Sequence, residues 1–221
     1  MKTLYVVTHP EATHHVDGLV GGWHDSDLTD RGVTHAHDIA DALADRLPSN
    51  SSAHPPSAFS AGPPTAEVHS SDLLRTRRTA EVIATRLNTK PLFDPGLSEK
   101  SFGEAGGRPQ SWLDARFIPP PATGERMRHD EGPPGAETKW DLAVRVDAAL
   151  TRILTSEAPH QVIVTHGMAA TFLLAAWMEM PLEAAGRVAF RFSPGGITTL
   201  HEDDYFHNHA IVTLNDTGHL K

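Results

Sequence analysis

Residues 161–178 read QVIVTHGMAATFLLAAWM. The first five form a short apolar, β-branched run suited to a buried strand. The stretch after Gly167 is apolar enough for a buried helix, so the junction is a strand-to-helix turn carrying one histidine, His166. The same strand exit recurs at residues 4–9, LYVVTH, which ends in His9. In a parallel α/β sheet ligands gather outside the carboxyl ends of the strands, so two histidines far apart in sequence are expected to meet at one site.

Outward from these two strands the chain alternates between strand and helix patterns. Residues 29–47 place Val33, Ala36, Ile39, Ala40, Leu43 and Leu47 at helical spacing, with Thr29 as the expected N-cap. Residues 48–64, rich in Ser, Pro and Ala, read as a surface loop. The strand AEVHSS follows at 66–71, then a helix over 72–88 whose buried face is Leu73, Leu74, Ala80, Ile83, Ala84 and Leu87, then a short strand at 91–93. Residues 103–135 turn Gly- and Pro-rich around Trp112 and Phe117 and read as an insertion over the strand ends. Helical periodicity returns over 137–157, and the tail offers three strands, at 187–192, 196–201 and 210–214. This alternation predicts an α/β fold, a three-layer α/β/α sandwich around a mostly parallel sheet, in a single domain spanning 1–221.

Composition narrows the function. A formal charge of −9 over 221 residues argues against nucleic-acid and membrane-surface partners, which demand concentrated Lys and Arg. An anionic substrate must then be held by a local basic pocket. The absence of cysteine excludes thiolate metal sites and a cysteine nucleophile. The chain opens directly on strand-like sequence and has no apolar run of the ~18 residues a membrane helix needs, which predicts a cytoplasmic protein. His201, His207 and His209 lie beside acidic residues near the C-terminus, but with fifteen histidines in the chain a chance cluster is the expected reading, and no metal or other cofactor is called for.

Between the two strand-exit histidines lie Ser71-Asp72-Leu73-Leu74-Arg75 and the segment 97–103, LSEKSFG, which supplies Glu99. Two imidazoles, a guanidinium and a carboxylate can together move a phosphoryl group. An imidazole attacks phosphorus when neutral, a planar guanidinium grips phosphate oxygens in pairs, and a carboxyl group relays the proton. Arg77 and Arg78 are expected on the solvated face of their helix.

These segments, in this order, resemble the histidine phosphatase superfamily, the phosphoglycerate-mutase-like enzymes. The stretch GGWHDSDLTDRG at 21–32 is similar to the family's Gly, Asp, Leu-Thr and Gly spacing. The resemblance implies that His9 is the nucleophile forming a phosphohistidine, that Arg75 and His166 clamp the phosphoryl group, and that Glu99 protonates the leaving alkoxide and then activates water. Thr8 and His15 join Arg75 and His166 as expected substrate contacts. Three positions depart from the family pattern. Thr8 stands where the family has arginine, Pro10 where it has glycine, and His15 where it has asparagine. The lost arginine removes a full charge from a site for a dianion, and His14, His15, Lys100, Arg126, Arg128, Arg187 and Arg191 are the candidates to replace it.

The function expected from this resemblance is hydrolysis of small phosphomonoesters. Two alternatives stay open. One is a mutase-type phosphotransferase, with Arg126 and Arg128 holding a substrate carboxylate, and the other is a catalytically weak phospho-ligand binding protein. The expected partner is a small phosphorylated molecule, and a homodimer is compatible with the sequence.

Overall fold

A computed structural model describes residues 1–47 and 66–221. The loop expected at 48–64 lies outside the described residues. In chain order the main elements are β1 (Lys2–Thr8), α1 (Thr13–Val16), α2 (Asp30–Arg46), β2 (Ala66–Ser70), α3 (Leu74–Arg86), β3 (Pro91–Phe93), α4 (Gln110–Asp114), α5 (Lys139–Leu154), β4 (His160–Thr165), α6 (Gly167–Trp177), β5 (Ile197–Glu202) and β6 (His209–Asp216). The six strands form one sheet in the order β3-β2-β4-β1-β5-β6. Pairing is parallel from β3 through β1 and antiparallel at β1–β5 and β5–β6, so the expected mostly parallel sheet is present.

Strands β1 and β4 occupy the middle of the sheet and are covered on both faces, which is why they read as unbroken apolar runs. Their side chains alternate between two cores. Leu4, Val6 and Ile163 pack with α5 and α6 in one, while Tyr5, Val7, Val162 and Val164 pack with α2 and α3 in the other. Helix α6, expected to be buried from its composition, has eight of its eleven residues buried, down to Trp177 at its end. Thr29 caps α2 as expected, its hydroxyl accepting from the Gly32 amide at 3.0 Å.

One expected strand is absent. Residues 187–192 do alternate, with Val188, Phe190 and Phe192 turned inward against the α5–α6 core and Ala189 and Arg191 exposed, but they form no ladder. The interior strands are paired on both sides, the free edges lie at β3 and β6, and this segment lies instead against α6, so it packs by its side chains and not by its backbone. It runs along α6, where the Thr171 hydroxyl reaches the Phe190 carbonyl at 3.5 Å.

The 103–135 region holds a single turn of 3-10 helix and α4, and it is tied to the body by short bridges, Leu19 with Pro109 and Phe102 with Ala136. Its own small core joins Val20, Ala105 and Leu113, with Phe102 and Trp112 packed alongside. Among the described residues, no helix is long and apolar enough to cross a membrane.

Candidate active site

The register of the central strands assembles the site. Thr8 on β1 lies beside Thr165 on β4, so the next residues, His9 and His166, leave the sheet side by side. Their rings meet edge to face with centroids 5.0 Å apart. On the other side of β4, Ser70 lies beside Val164, which places Ser71 at the same edge, and its hydroxyl meets Nε2 of His166 at 2.9 Å. Nδ1 of His166 is buried and has no partner among the described residues.

His9 is fixed in one tautomer. Its Nδ1 lies 2.7 Å from the Pro10 carbonyl, which can only accept, so the ring proton sits on Nδ1 and Nε2 carries the lone pair. That Nε2 accepts from Nε of Arg75 at 3.2 Å. Burial, and then the neighbouring Arg75 guanidinium, hold the His9 pKa well below the ordinary histidine value, so the ring is neutral at physiological pH.

Arg75 lies in the first turn of α3, fully buried, with its guanidinium anchored by the Gly22 carbonyl at 2.7 Å and the His24 carbonyl at 2.8 Å. Three of its five N–H groups are thereby used, two for anchoring and one toward His9, which leaves two for a phosphoryl oxygen. Burial lowers its pKa to about 10, offset in part by Glu99 and Asp25, so it stays cationic at neutral pH. Gly22 must be glycine for this anchor. Its φ is +55°, and a Cβ there would come within 2.9 Å of the Lys100 carbonyl. Arg77 and Arg78 are exposed, as expected, stacked over Phe93 and paired with Asp27 respectively.

Glu99 reaches across to the beginning of α6. Its two carboxylate oxygens accept from the amides of Met168 and Ala169, each at 3.1 Å, and one also accepts from its own neighbour Lys100 at 2.9 Å. The carboxylate thus caps the helix that follows His166 at its positive end. A half-buried clamp holds its backbone. Arg145 on α5 grips Glu137 through two bonds of 2.8 Å and spreads its remaining N–H groups over the carbonyls of Gly96, Ser98 and Glu99. Glu137 in turn accepts from the Ser101 amide at 2.7 Å. Sequence reading missed this pair, because a Glu and an Arg eight residues apart on one segment carry no local sign of what they bind.

His9, Arg75 and Glu99 line one cavity of about 340 Å³, together with Thr8, His14 and His15. The His15 ring stacks parallel to His9 with centroids 5.6 Å apart, and His14 lies 4.0 Å from His15. Desolvation, then the adjacent His15 ring and Arg75, lowers His14 to about 3, and burial followed by Arg75 lowers His15 as well. Both are neutral imidazoles in the free protein. The Thr8 hydroxyl donates to the Ser193 carbonyl at 2.7 Å, so its one proton is directed into the 193–196 turn.

The other candidates for a replacement cation lie elsewhere. Lys100 is fully buried in an ion pair with Glu131 at 2.9 Å, Arg126 donates to the Gly186 carbonyl, and Arg128 stacks over Trp140. Arg187 bonds the Ala122 carbonyl, and Arg191 is exposed outside the cavity lining. Arg75 is therefore the one Lys or Arg side chain that lines the cavity among the described residues, and residues 48–65 contain neither residue type. In the C-terminal hairpin, His201 bonds Thr3 and His209 bonds the Trp177 carbonyl; no group of three potential ligands is placed to hold a metal among the described residues.

Residues 4–217 match the model of the histidine phosphatase superfamily, branch 1. The chain belongs to this family. Members of the superfamily are phosphatases or mutases. A probable phosphoglycerate mutase, GpmB, of Yersinia pestis (strain Pestoides F) is 28% identical over 227 residues, covering 100% of this chain and 95% of that protein. Among solved structures, a mycobacterial glucosyl-3-phosphoglycerate phosphatase superposes with a TM-score of 0.75 at 22% identity, covering 98% of this chain and all of the other. A phosphoserine phosphatase of Entamoeba histolytica does so with a TM-score of 0.70 at 19% identity, with full coverage of both chains. These two likenesses establish the histidine phosphatase fold.

Proposed function

We propose that the chain is a phosphatase that hydrolyses small phosphomonoesters through a phosphohistidine on His9. The observation that carries this reading is the state of His9, neutral and locked with its proton on Nδ1, so that Nε2 keeps a lone pair, held by Arg75 Nε where both residues line the cavity. Nε2 attacks phosphorus and the P–O bond to the alcohol breaks. Glu99, the one acidic side chain lining the cavity among the described residues, acts in its protonated form and gives that proton to the departing alkoxide. Water then attacks the phosphohistidine and loses its proton to Glu99 as the P–N bond breaks, and the electron pair returns to Nε2. In this reading the two unspent N–H groups of Arg75 steady charge on the phosphoryl oxygens, and His166, which packs against His9 with its Nδ1 unpartnered among the described residues, is the second donor.

Hydrolysis is favoured over transfer because a mutase must also hold the glycerate carboxylate, and Arg126 and Arg128, the residues suited to that task by sequence, are engaged away from the cavity. The decisive experiment combines the His9→Ala variant with trapping of the intermediate. Wild type incubated with a labelled phosphomonoester should carry phosphate on His9, and His9→Ala should lose turnover by on the order of 10⁴-fold or more while keeping its fold. A wild type that binds phosphate but never labels would favour the binding-protein reading. Conversion of 3-phosphoglycerate to its isomer faster than release of phosphate would favour the mutase.

A further inference from the structure

A second cavity, of about 270 Å³, adjoins the first on the side where the alcohol must depart. Gly167 lines both cavities, and the segment after Arg187 walls both, with Phe192 in the first and Val188 and Phe190 in the second. Met168, whose amide holds Glu99, and Phe172 complete the far wall. A Cβ built on Gly167 would meet nothing within 4 Å, so the residue common to both linings places no side chain between them. The proton donor determines which way the substrate lies. Since Glu99 must reach the bridging oxygen, the alcohol carbon attached to that oxygen projects past Glu99 toward Met168 and Gly167.

What it meets there is apolar. Among the described residues, Lys139 is the only charged one lining the second cavity, against Met168, Phe172, Val188 and Phe190. Resting on the phosphatase reading above, we propose that this cavity receives the alcohol half of the substrate, and that the substrate class is phosphomonoesters of alcohols with an apolar body. This also accounts for the unpaired segment 187–192. Its inward side chains are spent on a binding wall, and the absence of a ladder leaves its backbone free to lie against α6 at the mouth of the site.

The test compares substrates whose alcohols leave with similar basicity, so that chemistry does not mask recognition. With wild type, kcat/KM for 2-phenylethyl phosphate should exceed that for ethyl phosphate and for glycerol 3-phosphate at least about tenfold, the range that apolar contact in a pocket provides. The variants Phe190→Ala and Val188→Asp should each shrink that ratio about tenfold. Equal rates on the three esters in wild type, or a ratio untouched by both variants, would overturn the inference and leave the phosphatase reading standing. A preference for 3-phosphoglycerate would place a carboxylate near Lys139 where we place the apolar body, and would overturn it too. Absence of hydrolysis on every ester would instead remove the phosphatase reading, and this inference with it.

Discussion

The floor of the site and its wall are built on opposite principles. On the floor, formed by the exits of β1, β2 and β4, the polar side chains have prescribed partners: His9 with Pro10 and Arg75, Arg75 with Gly22 and His24, His166 with Ser71, and Glu99 with the α6 amides. On the wall, residues 187–192 present apolar side chains and touch α6 through one 3.5 Å polar contact. A floor of this kind tolerates little change, because each buried polar group left unpaired costs about 1–3 kcal/mol. The wall can change its side chains at the smaller cost of apolar contact. On the proposed reading, chemistry and substrate choice thus sit on elements held by different kinds of contact.

The largest effect expected from breaking the floor short of removing His9 comes at Arg75. Arg75→Met should lower kcat/KM by roughly 10²–10³-fold on every ester alike, as loss of a preorganised donor to the transition state does. It should also abolish protection of the protein from heat by inorganic phosphate or vanadate. Retained protection would locate the anion site elsewhere.

Next comes the clamp beneath Glu99. Arg145→Lys keeps the charge but cannot span Glu137 and three carbonyls at once, so it should destabilise the fold by about 3 kcal/mol, a Tm drop on the order of 10 °C for a chain of this length. Because the clamp positions Glu99 rather than touching substrate, kcat should fall about tenfold with KM little changed. A fall in Tm with kcat intact would make the clamp structural only.

The floor's neutrality has a signature in pH. His9, His14, His15 and His166 are all held below the ordinary histidine value, by burial first and cationic neighbours second. After allowance for ionisation of the substrate and of the proton donor Glu99, kcat/KM should therefore show no further fall from an imidazole as pH rises through ~6.5, and the remaining decline should follow Arg75 as it loses its proton near 10. A fall near 6.5 would revive a protonated imidazole as the missing cation. Stability carries the opposite sign. The unfolded chain takes up protons on these imidazoles below ~6.5 while the folded chain does not until much lower, so stability is fully present above ~6.5 and is lost as pH falls. His14→Asn should flatten part of that loss between ~6.5 and about 3, which thermal melts across that range would measure.

The smallest effect is expected where floor and wall touch. Thr8 directs its hydroxyl to the Ser193 carbonyl, so Thr8→Val should cost about 1 kcal/mol of stability and change kcat/KM less than about fivefold. A loss approaching that of Arg75→Met would mean that Thr8 contacts the phosphoryl group directly.

The sequence by itself determined the sheet's central strands, the four long helices with the Thr29 cap of α2, the family, and the placing of His9, Arg75 and Glu99 on one cavity with His166 beside His9. It could do so because burial on both faces leaves an unbroken apolar run, an N-cap is a local hydrogen bond, and a residue that ends a central parallel strand has only one place to go. Tertiary structure alone decided the rest. Residues 187–192 alternate as a strand should, yet whether they pair depended on which edges β5 and β6 had already occupied. The candidates to replace the arginine at Thr8 were equal in sequence as cations or potential cations, and only packing buried Lys100 against Glu131 and kept His14 and His15 neutral. Ionisation state and long-range pairing depend on which groups come within a few ångströms of one another across the fold, and local sequence does not encode that distance.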